Sequence, residues 1–231
     1  MIFDGKYKLL KRTITVLLLL FISFSVYVVI VNRNSRQMTV RQKFLKAIYP
    51  AFMWLTRKSS VAVSKRSHND PPVSFYSLKA ITISGQQFDF SQLKGKKVLL
   101  VNTASDCGYT GQYDELEKLY QEYKDRLVVI GFPANDFKEQ EKGSDTEIEQ
   151  FCKINYALSF SLMKKGTVIK NETQQEVFKW LTNASQNGWN DKQPAWNFSK
   201  YLVDENGNLI NYFSPTISPM DKEVLKAVEE K

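Results

Sequence analysis

Two cysteines and one histidine in 231 residues set narrow limits on the chemistry of this chain. Cys107 and Cys152 are too few for a disulfide scaffold. Together with His68 they make no Cys/His set that could hold zinc, so no metal is expected. A Cys–His or Ser–His pair would have to use His68, which lies in a polar stretch outside the regular part of the chain. If a thiol is activated, amides, an indole or a helix end must do it. A uniform charge is also lacking. Residues 1–70 hold 13 Lys and Arg against 2 Asp, a net +11, whereas residues 71–231 hold 19 against 22 acidic residues, a net −3. The overall +8 therefore belongs to the N-terminal arm, and the other 161 residues form a mildly acidic unit large enough for one core. That unit has no basic cluster interleaved with aromatics, so nucleic acid is not an expected partner. Internal repeats and long low-complexity segments are absent too.

What is present begins with Ile14–Val31, 18 residues without a charge, just long enough to cross a bilayer as a helix. Lys6, Lys8, Lys11 and Arg12 precede it, and Arg33, Arg36, Arg41, Lys43 and Lys46 follow. No clear A-x-A site follows the run, which favours an uncleaved anchor over a cleaved signal peptide. Basic residues on both flanks determine orientation poorly. A first apolar segment behind a basic N-terminus commonly keeps that terminus inside, which would place the domain outside the cytoplasm. Phe44–Leu55 is a second apolar stretch, too short to span and interrupted by Pro50. It fits either a helix lying on the membrane surface or a tether with some helix in it. Ser59–Pro72 reads as a linker. The expected organisation is an anchor or signal peptide over 1–34, a basic juxtamembrane segment and linker over 35–72, and a folded domain over 73–231.

Within the domain, Ala80–Ile83 and Gln87–Phe90 flank Ser84-Gly85-Gln86 as a hairpin. Lys97–Thr103 and Leu127–Phe132 are apolar enough for buried strands. Tyr113–Tyr123 carries the stripe Leu116, Leu119, Tyr120, Tyr123 of an amphipathic helix. Ser144 or Asp145 caps a helix running through Ile148, Phe151, Cys152 and Tyr156. Another helix is expected near Gln175–Ala184. Phe198–Val203 and Leu209–Phe213 make a hairpin about Asp204–Asn208, and Ser218–Glu223 opens a last helix through Val228. The order predicts an α/β fold with a mixed central sheet flanked by helices. Cys107 follows the first buried strand and precedes a helix. At or near a helix N-terminus, unpaired N–H groups and the dipole favour a thiolate.

Three blocks in order give the domain its resemblance to the glutathione peroxidase family of thiol peroxidases. They are Val101-Asn102-Thr103-Ala104-Ser105-Asp106-Cys107-Gly108-Tyr109-Thr110, then Gly131–Glu141 with Gly143-Ser144, then Trp196-Asn197-Phe198-Ser199-Lys200-Tyr201-Leu202-Val203-Asp204 with Gly207. The resemblance runs from about Phe75 to the C-terminus. It implies a thioredoxin-like fold, preceded here by the N-terminal transmembrane helix, and needs no cofactor. It implies that Cys107 is the peroxidatic residue, with Gln140, Trp196 and Asn197 around the sulfur. An indole N–H and two amides can stabilise charge moving from sulfur to the departing oxygen without titrating. Taken singly, Gln140 is a solvated loop residue, Trp196 a core aromatic and Asn197 a turn residue.

Cys152 lies where bacterial relatives often carry a resolving thiol, which would attack the Cys107 sulfenic acid to form a disulfide. The plainer reading is a small buried core residue. The chain departs from the family pattern at Ala134, where many relatives have cysteine, at Asp136, where glutamine is usual, and at Ser161, where proline is common. The short Ala184–Trp196 segment resembles monomeric members, and should leave Cys107 open to bulky hydroperoxides. The resulting expectation is a membrane-tethered thiol peroxidase that reduces hydrogen peroxide and organic or lipid hydroperoxides. A thioredoxin-like protein or glutathione would regenerate it. The alternative is a tethered thioredoxin-like redox sensor or interaction domain.

Overall fold

The computed structural model describes residues 2–64 and 70–230, with side chains from residue 7 onward. His68 lies outside the described residues. Helix α1 (Ile2–Val31) contains one stretch, Tyr7–Val31, long and apolar enough to cross a membrane or to serve as a signal sequence, and no described residue of its apolar window is buried. Helix α2 (Val40–Thr56) then turns back. The Tyr27 hydroxyl donates to the Ala47 carbonyl at 3.1 Å, and Asn32 Nδ2 donates to the Lys43 carbonyl at 3.0 Å. The expectation that Pro50 interrupts this segment is corrected, because α2 runs through it. A capping box between Thr39 and Gln42 starts the helix, and burial of Ala47 and Tyr49 against the domain offsets the lost backbone bond.

The domain is a six-stranded sheet with order β1-β8-β7-β4-β5-β6 and a separate β2-β3 hairpin. The strands are β1 (Ala62–Ser64), β2 (Lys79–Ile81), β3 (Gln87–Asp89), β4 (Lys97–Thr103), β5 (Leu127–Pro133), β6 (Ser161–Leu162), β7 (Lys200–Val203) and β8 (Leu209–Phe213). β4 pairs parallel with β5, placing Val101 opposite Gly131, and β5 pairs parallel with β6. β7 pairs antiparallel with β4 and with β8. The sheet is therefore mixed, as the element order predicts.

β4 is apolar along most of its length because both of its faces are covered. Leu99 and Val101 enter one core, with Tyr113, Leu116 and Leu119 of α3 (Gln112–Tyr123), Ile148 and Phe151 of α4 (Asp145–Tyr156), and Val224 and Val228 of α7 (Lys222–Glu229). Val98 and Leu100 enter the other, with Phe178 and Trp180 of α5 (Glu176–Leu181) and with Phe75 and Phe90. Both cysteines belong to the first core.

Several local expectations shift. The helix expected over Gln175–Ala184 breaks at Thr182, and α6 (Ala184–Asn187) starts again under Asn183, whose side chain caps Ser185 N–H at 3.0 Å. β7 begins at Lys200, because Phe198 takes a left-handed φ of 68° that cannot continue a strand. Ser161, at the position where relatives often have proline, opens β6 opposite Ile130. The stretch expected as linker holds β1, which adds to the sheet edge through Ala62 opposite Phe213.

Candidate active site

The loop between β4 and α3 holds Cys107. Thr110 Oγ1 accepts from the Cys107 N–H at 3.0 Å and donates to the Ala104 carbonyl at 2.9 Å, tying the loop shut. The Tyr109 N–H points back at Cys107 Sγ, 3.4 Å away. Cys107 is only 1% exposed, and α3 starts at Gln112, past this loop rather than at the cysteine. That burial opposes the thiolate that the sequence argument favours. Desolvation pushes the Cys107 thiol up to about 11, with Asp106 adding to it. The Tyr109 N–H, Trp196 and Asn197 oppose the rise without cancelling it.

Trp196 and Asn197 arrive on the turn before β7, held from beneath by Asn102. Asn102 Nδ2 donates to the Trp196 carbonyl at 3.1 Å, and Asn102 Oδ1 accepts from Ser199 N–H at 3.1 Å. The Phe198 N–H donates to the Asn102 carbonyl. The turn is anchored further by Lys200, fully buried, whose Nζ donates to the Phe198 carbonyl at 2.9 Å, Gln112 Oε1 at 2.8 Å and the Ile217 carbonyl at 2.6 Å. Neither Asn102 nor Lys200 was given a role from sequence. The available signal was a polar residue inside an otherwise apolar buried strand.

Gln140 comes from the loop after β5. Lys138 and Glu139 both take left-handed φ values of 51°, which reverses the chain. Asn135 Oδ1 then accepts from Glu141 N–H at 2.8 Å, and the Gln140 carbonyl accepts from Asp106 N–H at 3.1 Å. Asn197 Nδ2 donates to Gln140 Oε1 at 3.1 Å, while Asn197 Oδ1 is buried with no partner among the described residues. Asp136, the departure from the family pattern, accepts from Val168 N–H at 2.8 Å and supports the neighbouring loop.

Cys107, Gln140 and Trp196 line one cavity of about 810 Å³, and Asn197 bonds to Gln140 behind them. Cys152 is placed elsewhere. It is fully buried on α4 and borders a different cleft, beside Ile83 and Phe160. Its thiol is raised well above the ordinary range, first by burial and then by Glu141 and Glu149, with Tyr113 opposing. Both thiols are free.

A thiol held under converging N–H donors on a thioredoxin-like sheet defines a thiol-based oxidoreductase. Known proteins narrow that class. A family model described as glutathione peroxidase matches residues 75–182. The chain is 44% identical over 154 residues to Glutathione peroxidase-like peroxiredoxin 2 of Saccharomyces cerevisiae, covering 65% of this chain and 94% of that one. It is 45% identical over 147 residues to Glutathione peroxidase homolog BsaA of Staphylococcus epidermidis, covering 63% and 92%. The crystal structure of Trgpx in apo form matches with a TM-score of 0.52 at 33% identity, covering 68% of this chain and 97% of that chain. A DsbF homologue from Corynebacterium diphtheriae, with a TM-score of 0.53 at 15% identity, shares the fold alone. The chain belongs to the glutathione peroxidase family, and its activity is that of a thiol peroxidase.

Proposed function

We propose that Cys107 is the peroxidatic residue, acting on hydrogen peroxide and on organic or lipid hydroperoxides. The observation that carries this reading is the sulfur at the cavity wall, with the Tyr109 N–H on it and Trp196 and Asn197 facing it. Cys107 Sγ attacks one peroxide oxygen and the O–O bond breaks. The thiol proton ends on the departing oxygen, giving water or an alcohol and a Cys107 sulfenic acid. The attacking form is the thiolate, which the Tyr109 N–H, Trp196 and Asn197 favour against the opposing burial. Trp196 and Asn197 stabilise the charge that moves between sulfur and oxygen, and Gln140 holds Asn197 in place. Peroxide consumption by the full-length protein in detergent, with hydrogen peroxide and cumene hydroperoxide in separate runs, tests this reading.

For the return half, the Cys152 thiol condenses with the sulfenic acid, releasing water and leaving a Cys107–Cys152 disulfide. A thioredoxin-like dithiol reduces that disulfide and is itself oxidised. The burial of Cys152 away from the cavity means that α4 must open locally first. The same burial supports a second route, in which glutathione reduces the sulfenic acid directly and Cys152 only fills the core. Supplying thioredoxin or glutathione as sole donor separates the routes. Helix α1 serves as a retained anchor with the domain outside the cytoplasm, and the protein works as a monomer. Retention in membranes through alkaline carbonate washing supports the anchor, and release of a shortened soluble form contradicts it.

A further inference from the structure

Helix α2 and the segment leading to β1 lie before residue 75, where the family match begins. The match to the Saccharomyces relative takes up 94% of that protein but only 65% of this chain. Yet this arm does not hang free of the domain. Gln42 Nε2 donates to the Ser105 carbonyl at 3.1 Å, and Arg41 pairs with Asp106, so α2 grips the two residues before Cys107. The Tyr49 hydroxyl donates to Glu115 Oε2 at 2.7 Å on α3. Exposed ion pairs contribute little. The apolar fit is the stronger evidence of docking: Met38, Ala47 and Tyr49 are buried, and the Tyr49 ring occupies the space where Gly111 lacks a side chain. One turn further along, the Phe52 ring lies 3.3 Å from where a Cβ on Gly108 would be, and 4.9 Å from the Tyr109 ring. Gly108 and Tyr109 directly follow the cysteine.

This seating carries arm residues into the site. Phe52 and Val61 line the same cavity as Cys107, Tyr109 and Trp196. The arm is held there at both ends, by α2 on the cysteine loop and by β1 on β8. At the second attachment, Val61 N–H donates to Ser214 Oγ at 2.9 Å. A cavity of this volume greatly exceeds what hydrogen peroxide fills, and the arm makes part of its wall apolar.

Building on Cys107 as the peroxidatic residue, we infer that the arm supplies a substrate-binding wall, with Phe52 and Val61 selecting hydroperoxides that carry an apolar group. Hydrogen peroxide has no such group and gains nothing from that wall. The selectivity of the site thus resides partly in a segment that precedes the family-matched residues.

The test measures second-order rates of Cys107 oxidation in the full-length reduced protein, with cumene hydroperoxide and with hydrogen peroxide, and takes their ratio. Phe52→Ala should lower that ratio about tenfold, the scale for losing apolar contact in a binding pocket. Val61→Ser, at the other end of the wall, should lower it in the same direction, and serves as the independent check if Phe52→Ala does not fold. Trp54→Ala, on the exposed outer side of α2, should leave the ratio alone. A ratio that stays constant or rises in folded Phe52→Ala and Val61→Ser overturns the inference. Failure of hydrogen peroxide to oxidise Cys107 in the unmodified protein overturns the peroxidatic reading instead.

Discussion

Asn197 donates through Nδ2 to Gln140 Oε1 at 3.1 Å, joining the turn before β7 to the loop after β5. Under the proposed mechanism the two amides do different work: Asn197 faces the sulfur, whereas Gln140 orients Asn197. Asn197→Ala should slow single-turnover oxidation of Cys107 by a factor on the order of ten to a thousand, the range for loss of a charge-stabilising donor. Gln140→Ala should slow it less, and Gln140→Glu, which keeps the acceptor, should recover part of that loss. Stopped-flow measurement under excess peroxide reads all three. Equal rates in every variant would show that the amides have no part in the chemistry.

Burial lowers the share of Cys107 present as the reactive thiolate. With the thiol raised to about 11, the thiolate fraction at pH 7 is small and grows about tenfold per pH unit below that value. Iodoacetamide labelling of Cys107 in Cys152→Ser protein should therefore be slow at pH 7 and keep accelerating through pH 10. A labelling rate already on its plateau at pH 7 would mean that the N–H donors outweigh desolvation.

Glu141 is fully buried, accepts from Ser105 Oγ at 2.6 Å, and is raised from 4.5 to about 7, chiefly by desolvation. The folded state keeps this proton between those two values while the unfolded chain gives it up. Stability from this group is thus fully present below pH 4.5 and is lost as pH rises towards 7, a change of about 3 kcal/mol. Glu141→Gln should raise the urea midpoint at pH 8 and leave it nearly unchanged at pH 4.5. A variant less stable than the parent at pH 8 contradicts that sign.

How far this was legible beforehand depends on the element. β4 and β5 stand out in sequence as apolar runs buried on both faces, and α3 and α4 as helices with a periodic apolar stripe. Cys107, Gln140 and Trp196, far apart in the chain, do meet in one cavity. The Asn102 and Lys200 supports were legible only as polar residues on apolar strands, since most of their partners are backbone groups that no pattern reveals. The arm was the larger gap. Its apolar residues Tyr49 and Phe52 read equally well as membrane-facing, and only the side-chain-free surface at Gly108 and Gly111 shows where they pack. β1 is three residues long, too short to carry an alternating pattern of its own.

Cys152→Ser protein should still undergo the first oxidation, then accumulate a sulfenic acid that excess peroxide carries to higher oxides, and lose thioredoxin-supported turnover. In the parent protein the disulfide should appear more slowly than the first oxidation, because α4 has to open around a fully buried thiol. Mass spectrometry of quenched samples resolves these species. Normal thioredoxin-supported turnover in Cys152→Ser would assign Cys152 to the core and leave the direct glutathione route.

The central claim is that Cys107 performs the peroxide chemistry, and Cys107→Ser tests it most directly, since an alcohol is a far weaker nucleophile than a thiol at neutral pH. Hydrogen peroxide consumption by the full-length variant, with thioredoxin and glutathione both supplied, should fall to the level of the protein-free control. Retention of most of the parent's activity by folded Cys107→Ser would contradict the account.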